Sequence, residues 1–454
     1  MSAVEVFHAS GTQAAPAFRL VAGSPERIIA IHEGVSVSAA RFERHVRALA
    51  AVLPSASHAV NLCENRYRFL VALCAVSTRG QVNLLPPSRA PGVVAEMLAQ
   101  HAEAYVLGDG PDIGSGAWRM PEILAEVDGM PLMVDAAALA VIGFTSGSTG
   151  RPASNPKTWG GFRVSTGQNL VALRNLWPVD THAYVVATVP PQHMYGMELS
   201  IMLPLLAEVG VHGGRPFFPD DVARALRETP APRLLVTTPV HLRALVESGI
   251  ELPPMAGIVS ATAPMPEALA RQAESRYGCE LREMFGSTET CVIACRRPAQ
   301  SQAWTPLPGV SVQPQPDGSL VLASHLPVPV ALADVVEVDH DGCFHLRGRQ
   351  ADLLEIAGKR ASLSDLTHRL LAVPGVTDGV VLQLDAAFTG GVGRIAALAV
   401  APGMQAADIL RALRLHLDPV FLPRRLRCVQ ALPRNETGKL PRADLLRLLE
   451  AGAD

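Results

Sequence analysis

The feature that most limits what this chain can fold into is a repeated alternation of short apolar runs with helical patterns. Strand-like runs occupy residues 27–31, 60–62, 185–189, 234–236 and 257–260, and helical patterns occupy residues 67–77, 239–248 and 266–277. Ser38 fits the N-cap of a further helix, whose apolar stripe contains Phe42, Val46, Leu49 and Leu53. This alternation predicts an α/β fold in which parallel-type sheets are flanked by helices.

The length and texture of the chain indicate more than one domain. A chain of 454 residues exceeds what one compact core normally holds. Proline becomes frequent over residues 304–337, and we interpret this part as a distorted β subdomain that completes a large N-terminal domain. The last hundred residues predict a separate small α+β domain, with helices at 363–372 and 406–417 and strands at 376–382 and 395–400.

The net charge and the cysteine pattern limit the expected binding partners and the expected cellular compartment. The net charge is −3 and no basic run occurs, so nucleic acid is not an expected partner. The seven cysteines include no C-x2-C pair, which favours free thiols in a reducing, cytoplasmic setting; Cys291 and Cys295 are spaced for one face of a helix. No secretory signal is recognisable, and the most apolar stretch, residues 201–211, is too short to span a membrane. The sequence carries no sign of the oligomeric state.

The strongest local signal is a loop rich in hydroxyl groups and glycine at residues 144–152, which follows the apolar run 137–142. Its backbone amides and hydroxyls suit a polyphosphate, although a solvated linker would have a similar composition. The loop is not a Walker A motif, because no Gly-Lys-Ser/Thr follows. It is not a nucleophile elbow either, because Thr145 stands where that motif needs serine.

Further short segments that contain potential ligand-binding residues follow the loop along the chain. They are Pro-Gln-His-Met-Tyr-Gly at 191–196, Ser-Ala-Thr-Ala-Pro at 260–264, Met-Phe-Gly-Ser-Thr-Glu at 284–289, Ala-Asp at 333–334, Gly-Arg at 348–349, Ala-Gly-Lys-Arg at 357–360 and Pro-Arg-Asn-Glu-Thr-Gly-Lys at 433–439. Taken singly, His193 is also compatible with a structural role, and Lys439 with a charged side chain in a solvated loop. Together with the loop, the set resembles the adenylate-forming superfamily of acyl-CoA synthetases, luciferases and peptide-synthetase adenylation domains.

The resemblance implies a site that binds ATP, Mg²⁺ and a carboxylic acid. It assigns the phosphate loop to Thr145, Ser146, Gly147, Ser148, Thr149 and Gly150. It assigns the remaining nucleotide contacts to Ala261, Thr262, Phe285, Gly286, Ser287, Asp334 and Arg349. It assigns the acyl pocket to His193, Tyr195, Gly196, Met197 and Ser260, with Gly358 in the turn used by the second step. Lys439, Thr288, Glu289 and His193 are the implied catalytic residues, and Glu289 is the implied Mg²⁺ ligand.

The same resemblance implies how the chain is divided. It predicts a large domain over residues 1–348 that binds ATP and the acid, a hinge at 349–352 and a small mobile domain over 353–454. Two positions depart from the family pattern. Ala153 replaces the usual loop lysine, so that either Lys157 compensates or pyrophosphate is held less tightly. Ala351 stands where the hinge usually has aspartate.

The implied activity is an AMP-forming acid–thiol ligase, which makes an acyl-adenylate and passes the acyl group to coenzyme A or an acyl carrier protein. The segment 63–69 resembles standalone ligases of aryl-polyene pigment synthesis and favours an aryl, hydroxybenzoate-like acid; a fatty acid is the alternative. From another class, a non-catalytic adenylate-binding homologue would keep the same fold.

Overall fold

The computed structural model describes residues 17–86, 89–101, 103–111, 113–114, 116–145, 153–349, 353–356, 359–384, 394–415, 417, 419–435 and 438–451. The chain divides into two compact units. Unit 1 comprises Met1–Leu170 and Pro191–Arg215, and unit 2 comprises Val171–Pro190 and Pro216–Asp454.

The described strands are numbered in chain order. Those before residue 220 are β1 (Phe18–Arg19), β2 (Ile28–His32), β3 (Val35–Ser38), β4 (His58–Asn61), β5 (Val82–Leu85), β6 (Ala104–Gly108), β7 (Trp118–Arg119), β8 (Met133–Val134), β9 (Leu139–Thr145), β10 (Ala153–Thr158), β11 (Tyr184–Ala187) and β12 (Gly210–His212). Those after it are β13 (Arg233–Thr237), β14 (Gly257–Ser260), β15 (Glu280–Ser287), β16 (Cys291–Arg296), β17 (Thr305–Pro306), β18 (Val310–Gln315), β19 (Gly318–Ala323), β20 (Val330–Leu332), β21 (Asp334–Val338), β22 (Phe344–Arg349), β23 (Leu353–Ile356), β24 (Lys359–Ser362), β25 (Asp378–Leu384), β26 (Arg394–Val400) and β27 (Arg425–Cys428).

The described α-helices are numbered in the same way. They are α1 (Ala39–Val52), α2 (Arg66–Thr78), α3 (Pro91–Gln100), α4 (Trp159–Leu173), α5 (Met194–Met197), α6 (Leu203–Leu206), α7 (Pro219–Glu228), α8 (Pro239–Ser248), α9 (Glu267–Tyr277), α10 (Leu363–Leu371), α11 (Ala406–Leu413) and α12 (Arg442–Glu450). Among the described residues, no helix is long and apolar enough to cross a membrane.

Unit 1 contains a sheet with the order β10-β9-β5-β4-β6-β7. Its strands run parallel except for the antiparallel pair β9–β10. The predicted N-cap at Ser38 is confirmed, because the Ser38 hydroxyl accepts a hydrogen bond from the Arg41 amide at 3.2 Å. Helix α2 is buried almost throughout, as its continuous apolar pattern predicts.

Unit 2 contains a sheet with the order β17-β16-β15-β14-β13-β11, in which β11, β13, β14 and β15 are parallel and β15, β16 and β17 are antiparallel. Helices α7, α8 and α9 pack on the parallel strands through one apolar cluster, which includes Leu226, Leu245, Ala270, Leu235 and Ile258. This arrangement confirms the predicted α/β class.

The remainder of unit 2 is mostly antiparallel. Strands β18 to β22 surround a second apolar cluster that includes Trp304, Val321 and Phe344, which agrees with the expected β subdomain. Strands β25, β26 and β27 form a further sheet with one apolar cluster against α10 and α11 and another against α12. The suggested helical face for Cys291 and Cys295 is wrong, because both residues lie in strand β16.

Candidate active site

The parallel strands of unit 2 bring several predicted segments to one edge of the sheet. Carboxyl ends of parallel strands meet at the same edge, and ligands of open α/β sheets bind just beyond that edge. Strand β14 ends at Ser260, so the segment 260–264 leaves the sheet there. The neighbouring strand β15 pairs Glu283 with Ser260 and continues beyond it to Ser287, so the segment 284–289 extends past the same edge.

The segment after β14 has an unusual backbone. Thr262 has a φ of +80°, which a β-branched residue rarely adopts without a functional reason. The hydroxyl oxygens of Ser260 and Thr262 are buried and have no hydrogen-bond partner among the described residues. Buried hydroxyl groups usually find a partner, so these two oxygens are suited to contact a bound ligand.

A buried ion pair holds this segment in place. Glu283 Oε1 accepts a hydrogen bond from the Met265 amide at 2.8 Å, and Arg296 Nε donates to Glu283 Oε2 at 2.7 Å. Burial raises the pKa of the Glu283 carboxyl to about 7, although Arg296 and the Met265 amide both act in the opposite direction. The pair therefore connects β15 and β16 to the residue that follows the segment 260–264.

Thr288 and Glu289 lie in the tight turn between β15 and β16. The hydroxyl oxygens of Ser287 and Thr290 are 3.1 Å apart, and each hydroxyl also accepts the backbone amide of the other residue. His325 Nε2 donates to the Thr290 carbonyl at 2.7 Å. These bonds fix the base of the turn that carries Thr288 and Glu289.

Gly286 is the position at which the turn depends on glycine. A β-carbon added there would lie 2.1 Å from the Cys291 carbonyl oxygen and 2.7 Å from Val292 Cα. The strand register also shifts between Phe285 and Gly286, which is typical of a β-bulge. Glycine therefore allows β16 to approach β15 closely just before Thr288 and Glu289.

Three of the residues expected at the nucleotide, Phe285, Asp334 and Arg349, lie in strands of unit 2. Asp334 in β21 and Arg349 in β22 are direct cross-strand partners. The half-buried Phe285 ring packs with its centroid 5.3 Å from that of Trp304 and 6.0 Å from that of Phe344. The pairing of Asp334 with Arg349 was not evident from the sequence, where 15 positions separate them. Stacking of Phe285 on the purine remains a prediction.

The C-terminal Gly-Lys turn packs against the segment 260–264 within unit 2. A β-carbon added at Gly438 would lie 3.9 Å from Thr262 Oγ1 and 3.5 Å from Val240 Cγ2 in helix α8. Gly438 is buried, and the next residue, Lys439, is exposed. The structure thus brings together two predicted segments that are more than 170 residues apart in the sequence.

Unit 1 carries His193, Tyr195, Gly196 and Met197 of the expected acyl pocket, whereas Ser260 belongs to unit 2. His193 is the N-cap of α5, and its carbonyl accepts the Met197 amide at 2.7 Å. The preceding Gln192 donates through Nε2 to the Cys63 carbonyl at 2.6 Å, which anchors the segment. His193 is half-buried, whereas Tyr195, Gly196 and Met197 are buried. Their contact with an acid remains a prediction.

A π-helical segment, Glu198–Met202, continues from α5. The Glu198 side chain is buried, and its Oε1 accepts a hydrogen bond from Asn169 Nδ2 of helix α4 at 3.1 Å. π-Helical turns are rare and often occur at functional sites. No pattern in the sequence of α4 singles out Asn169, so its hydrogen bond to Glu198 was not predicted.

Several predicted residues lie outside the described part of the chain. They are Ser146, Gly147, Ser148, Thr149 and Gly150 of the loop, Ala351 of the hinge and Gly358. Thr145 ends β9, where it pairs with Ala153 of β10, while Lys157 pairs with Val141. Residues 153–158 are thus a strand rather than a longer loop. Val141, the partner of Lys157, is four residues from Thr145, so the Lys157 backbone lies about 13 Å along the strand from Thr145. This distance favours the alternative in which Lys157 does not compensate for the missing loop lysine and pyrophosphate is held less tightly.

Comparison with known proteins identifies the family. A model of the AMP-binding enzyme family matches residues 18–342. The chain belongs to the AMP-binding enzyme family. This AMP-binding enzyme is 31% identical over 299 residues to the 4-coumarate–CoA ligase of Rhodobacter capsulatus, a match that covers 65% of this chain and 73% of the relative. It is 25% identical over 267 residues to the 3-hydroxybenzoate–CoA ligase of an Aromatoleum species, covering 50% of this chain and 51% of that one.

Solved structures show the same fold. The O-succinylbenzoate coenzyme A synthetase of Bacillus subtilis, solved with its acyl-adenylate intermediate, has a TM-score of 0.78 at 18% identity, covering 93% of this chain and 96% of that one. The same synthetase was also solved with ATP and a magnesium ion, with a TM-score of 0.78 at 19% identity. The predicted family, the fold class and the enzyme class, an AMP-forming acid–thiol ligase, are confirmed.

Proposed function

We propose that this enzyme activates a small aryl carboxylic acid with Mg·ATP and transfers the acyl group to a pantetheine thiol. The observation that carries the proposal is the packing of the Gly438–Lys439 turn against Thr262. The backbone that leads into the expected catalytic Lys439 lies next to a strained segment whose buried hydroxyl groups have no hydrogen-bond partner among the described residues. The turn with Thr288 and Glu289 leaves the sheet from the neighbouring strand.

The first step forms the acyl-adenylate. A carboxylate oxygen of the acid attacks the α-phosphorus of ATP, the bond from that phosphorus to the bridging oxygen breaks, and pyrophosphate leaves. The Lys439 ammonium neutralises the negative charge that builds between the carboxylate and the α-phosphate. The protein contributes positioning and electrostatic stabilisation rather than covalent chemistry.

The turn after β15 suits the metal ion of Mg·ATP. Mg²⁺ prefers hard oxygen ligands, and this turn carries a carboxylate at Glu289 and a hydroxyl at Thr288. Bound there, Mg²⁺ would screen phosphate charge. Thr288 would then donate to the α-phosphate. Asp334 would accept the ribose hydroxyls, with Arg349 beside it on the paired strand.

The second step transfers the acyl group. We propose that residues 353–454 turn about a hinge at 349–352, which removes Lys439 and brings the turn at Gly358 to the active site. A pantetheine thiolate then attacks the acyl carbonyl, the bond to the phosphate oxygen breaks, and AMP leaves. Unit 2 includes residues on both sides of this hinge, so the proposal concerns a second arrangement of the chain.

The seven free cysteines are in keeping with a reducing, cytoplasmic setting.

An aryl acid is favoured by the relatives named for 4-coumarate and 3-hydroxybenzoate. Within unit 1, the acid would lie near His193, Tyr195, Gly196 and Met197. A fatty acid is the alternative. Mass spectrometry of products formed with matched panels of hydroxybenzoates and medium-chain fatty acids, each with CoA or a phosphopantetheinylated carrier protein, tests both choices. Aryl products support the proposal, whereas fatty-acyl products alone would replace it.

Lys439→Ala tests the assigned role of the lysine. We expect acid-dependent exchange of pyrophosphate into ATP to fall at least about 100-fold, which corresponds to about 2.7 kcal/mol of transition-state stabilisation. CoA thioester formation from pre-made acyl-adenylate should stay within about twofold, because Lys439 has left the site by then. Equal losses in both half-reactions would contradict the role.

A further inference from the structure

Arg434 lies inside the C-terminal Gly-Lys segment and makes contacts at both ends of its guanidinium group. Nε donates to Asp378 Oδ2 at 3.0 Å, and Nη2 donates to Asp378 Oδ1 at 2.7 Å. Nη1 donates to the Gly438 carbonyl at 2.8 Å. The pair with Asp378 is therefore bidentate, the geometry in which arginine binds a carboxylate most strongly and most specifically. Both side chains are more than three-quarters buried.

The Gly438 carbonyl belongs to the peptide that leads directly into Lys439. The same turn is closed by three further hydrogen bonds, from the Gly438 amide to the Asn435 carbonyl at 2.8 Å, from the Asn435 amide to the Lys439 carbonyl at 2.9 Å and from the Lys439 amide to Asn435 Oδ1 at 2.9 Å. Gly438 has a φ of +81°, which glycine adopts readily. Arg434 thus ties the backbone at Lys439 to strand β25.

Strand β25 is itself held at the end where Asp378 lies. Arg243 in helix α8 donates to the carbonyl of Thr377, the residue before Asp378. The same helix supplies Val240, which faces Gly438. Helix α8 therefore contacts both ends of the connection that runs from Asp378 through Arg434 to Gly438. Arg243 contacts the end at Asp378, and Val240 contacts the end at Gly438.

We propose that Arg434, held by Asp378, is a positioning residue that places the Lys439 ammonium for adenylation. The proposal rests on the role of Lys439 given above. A lysine side chain is long and flexible, so its ammonium reaches a defined place only if its backbone is fixed. Without the Arg434 bond to the Gly438 carbonyl, that backbone loses its charge-assisted connection to β25. A misplacement of about 1 Å can cost a catalysed step on the order of 100-fold.

The test uses the full enzyme and compares the two half-reactions. In Arg434→Gln and in Asp378→Asn, we expect the maximal rate of acid-dependent ATP–pyrophosphate exchange to fall about 10- to 100-fold, with the KM for ATP within about twofold. Thioester formation from pre-made acyl-adenylate should also stay within about twofold. The double variant should lose no more than the worse single variant, because both changes break one connection.

Two further variants separate positioning from folding. Arg434→Lys retains the charge but not the bidentate fork and should recover part of the exchange rate. Arg411→Gln is the matched control, because Arg411 and Asp408 form an exposed ion pair in the same part of unit 2, and it should change neither half-reaction.

Equal losses in both half-reactions, accompanied by a lower unfolding midpoint, would show a structural role and overturn the inference. Exchange at the unaltered rate in a folded Asp378→Asn protein would overturn it as well, and this variant decides the question if Arg434→Gln does not fold. If Lys439→Ala loses exchange while the Arg434 variants keep it, only the positioning role fails. If Lys439→Ala keeps exchange, the proposed catalytic role fails first.

Discussion

Gly286→Ala should impair adenylation, because glycine is needed where β15 and β16 approach each other. The added β-carbon would lie 2.7 Å from Val292 Cα and 2.1 Å from the Cys291 carbonyl oxygen. Carbon atoms in contact are about 3.5–4.0 Å apart, so the two strands must separate locally by at least roughly 0.8 Å. Because the turn with Thr288 and Glu289 begins two residues later, this displacement reaches the groups expected at the α-phosphate and the metal ion.

We expect two measurable consequences of Gly286→Ala. The maximal rate of pyrophosphate exchange should fall on the order of 100-fold, as expected for a displacement near 1 Å. The free energy of unfolding in urea should fall by about 1–3 kcal/mol, the usual range for an overpacked site. Circular dichroism at 25 °C identifies conditions in which the variant is folded, so that the rate can be compared with that of the unaltered enzyme.

Gly167→Ala provides the control for this prediction. Gly167 is an exposed residue of α4, and a β-carbon added there meets nothing within 4 Å outside the helix itself. The change should leave exchange intact and raise stability by about 0.5–1 kcal/mol, since alanine favours a helix. If Gly286→Ala also kept exchange within about threefold, the close approach of β15 and β16 would have no bearing on the chemistry.

Three further predictions concern single side chains. Glu289→Gln should raise the Mg²⁺ concentration needed for half-maximal exchange, because a neutral amide is a weaker ligand than a carboxylate; an unchanged Mg²⁺ titration would count against the assignment. Lys157→Ala should leave the KM for ATP within about twofold, because its strand position is about 13 Å from Thr145; a large increase would show that the lysine does reach the phosphates. Glu283→Ala should lower the free energy of unfolding by about 3–5 kcal/mol, because it leaves the Arg296 charge buried without its partner, and urea denaturation measures the loss.

Local patterns were sufficient to predict much of the fold. The run 257–260 and the helix 239–248 agree with β14 and α8, because each is bounded by a clear proline or glycine signal. The C-terminal helix predicted at 406–417 ends earlier, at Leu413, although the apolar pattern continues to Leu417. The spacing of Cys291 and Cys295 was compatible with a helix, but β16 is placed by its antiparallel pairing with β15, which local spacing does not reveal.

The candidate site was predictable only where its residues lie in contiguous segments. Thr288, Glu289 and Lys439 stand in such segments and could be named directly from the sequence. Asp378 could not, because its importance comes from a bidentate contact with Arg434, 56 positions away. The positive φ of Thr262 likewise follows from how the chain leaves β14, and no residue type in that segment signals it.

The most direct test of the central claim is pyrophosphate exchange into ATP by the unaltered enzyme, measured with and without added acid. An adenylating enzyme catalyses exchange only when its acid is present, and we expect this result with at least one member of an aryl panel. ATP binding without exchange, across both aryl and fatty acids, would contradict the proposed activation step. It would instead indicate a homologue of this family that binds the nucleotide without using it.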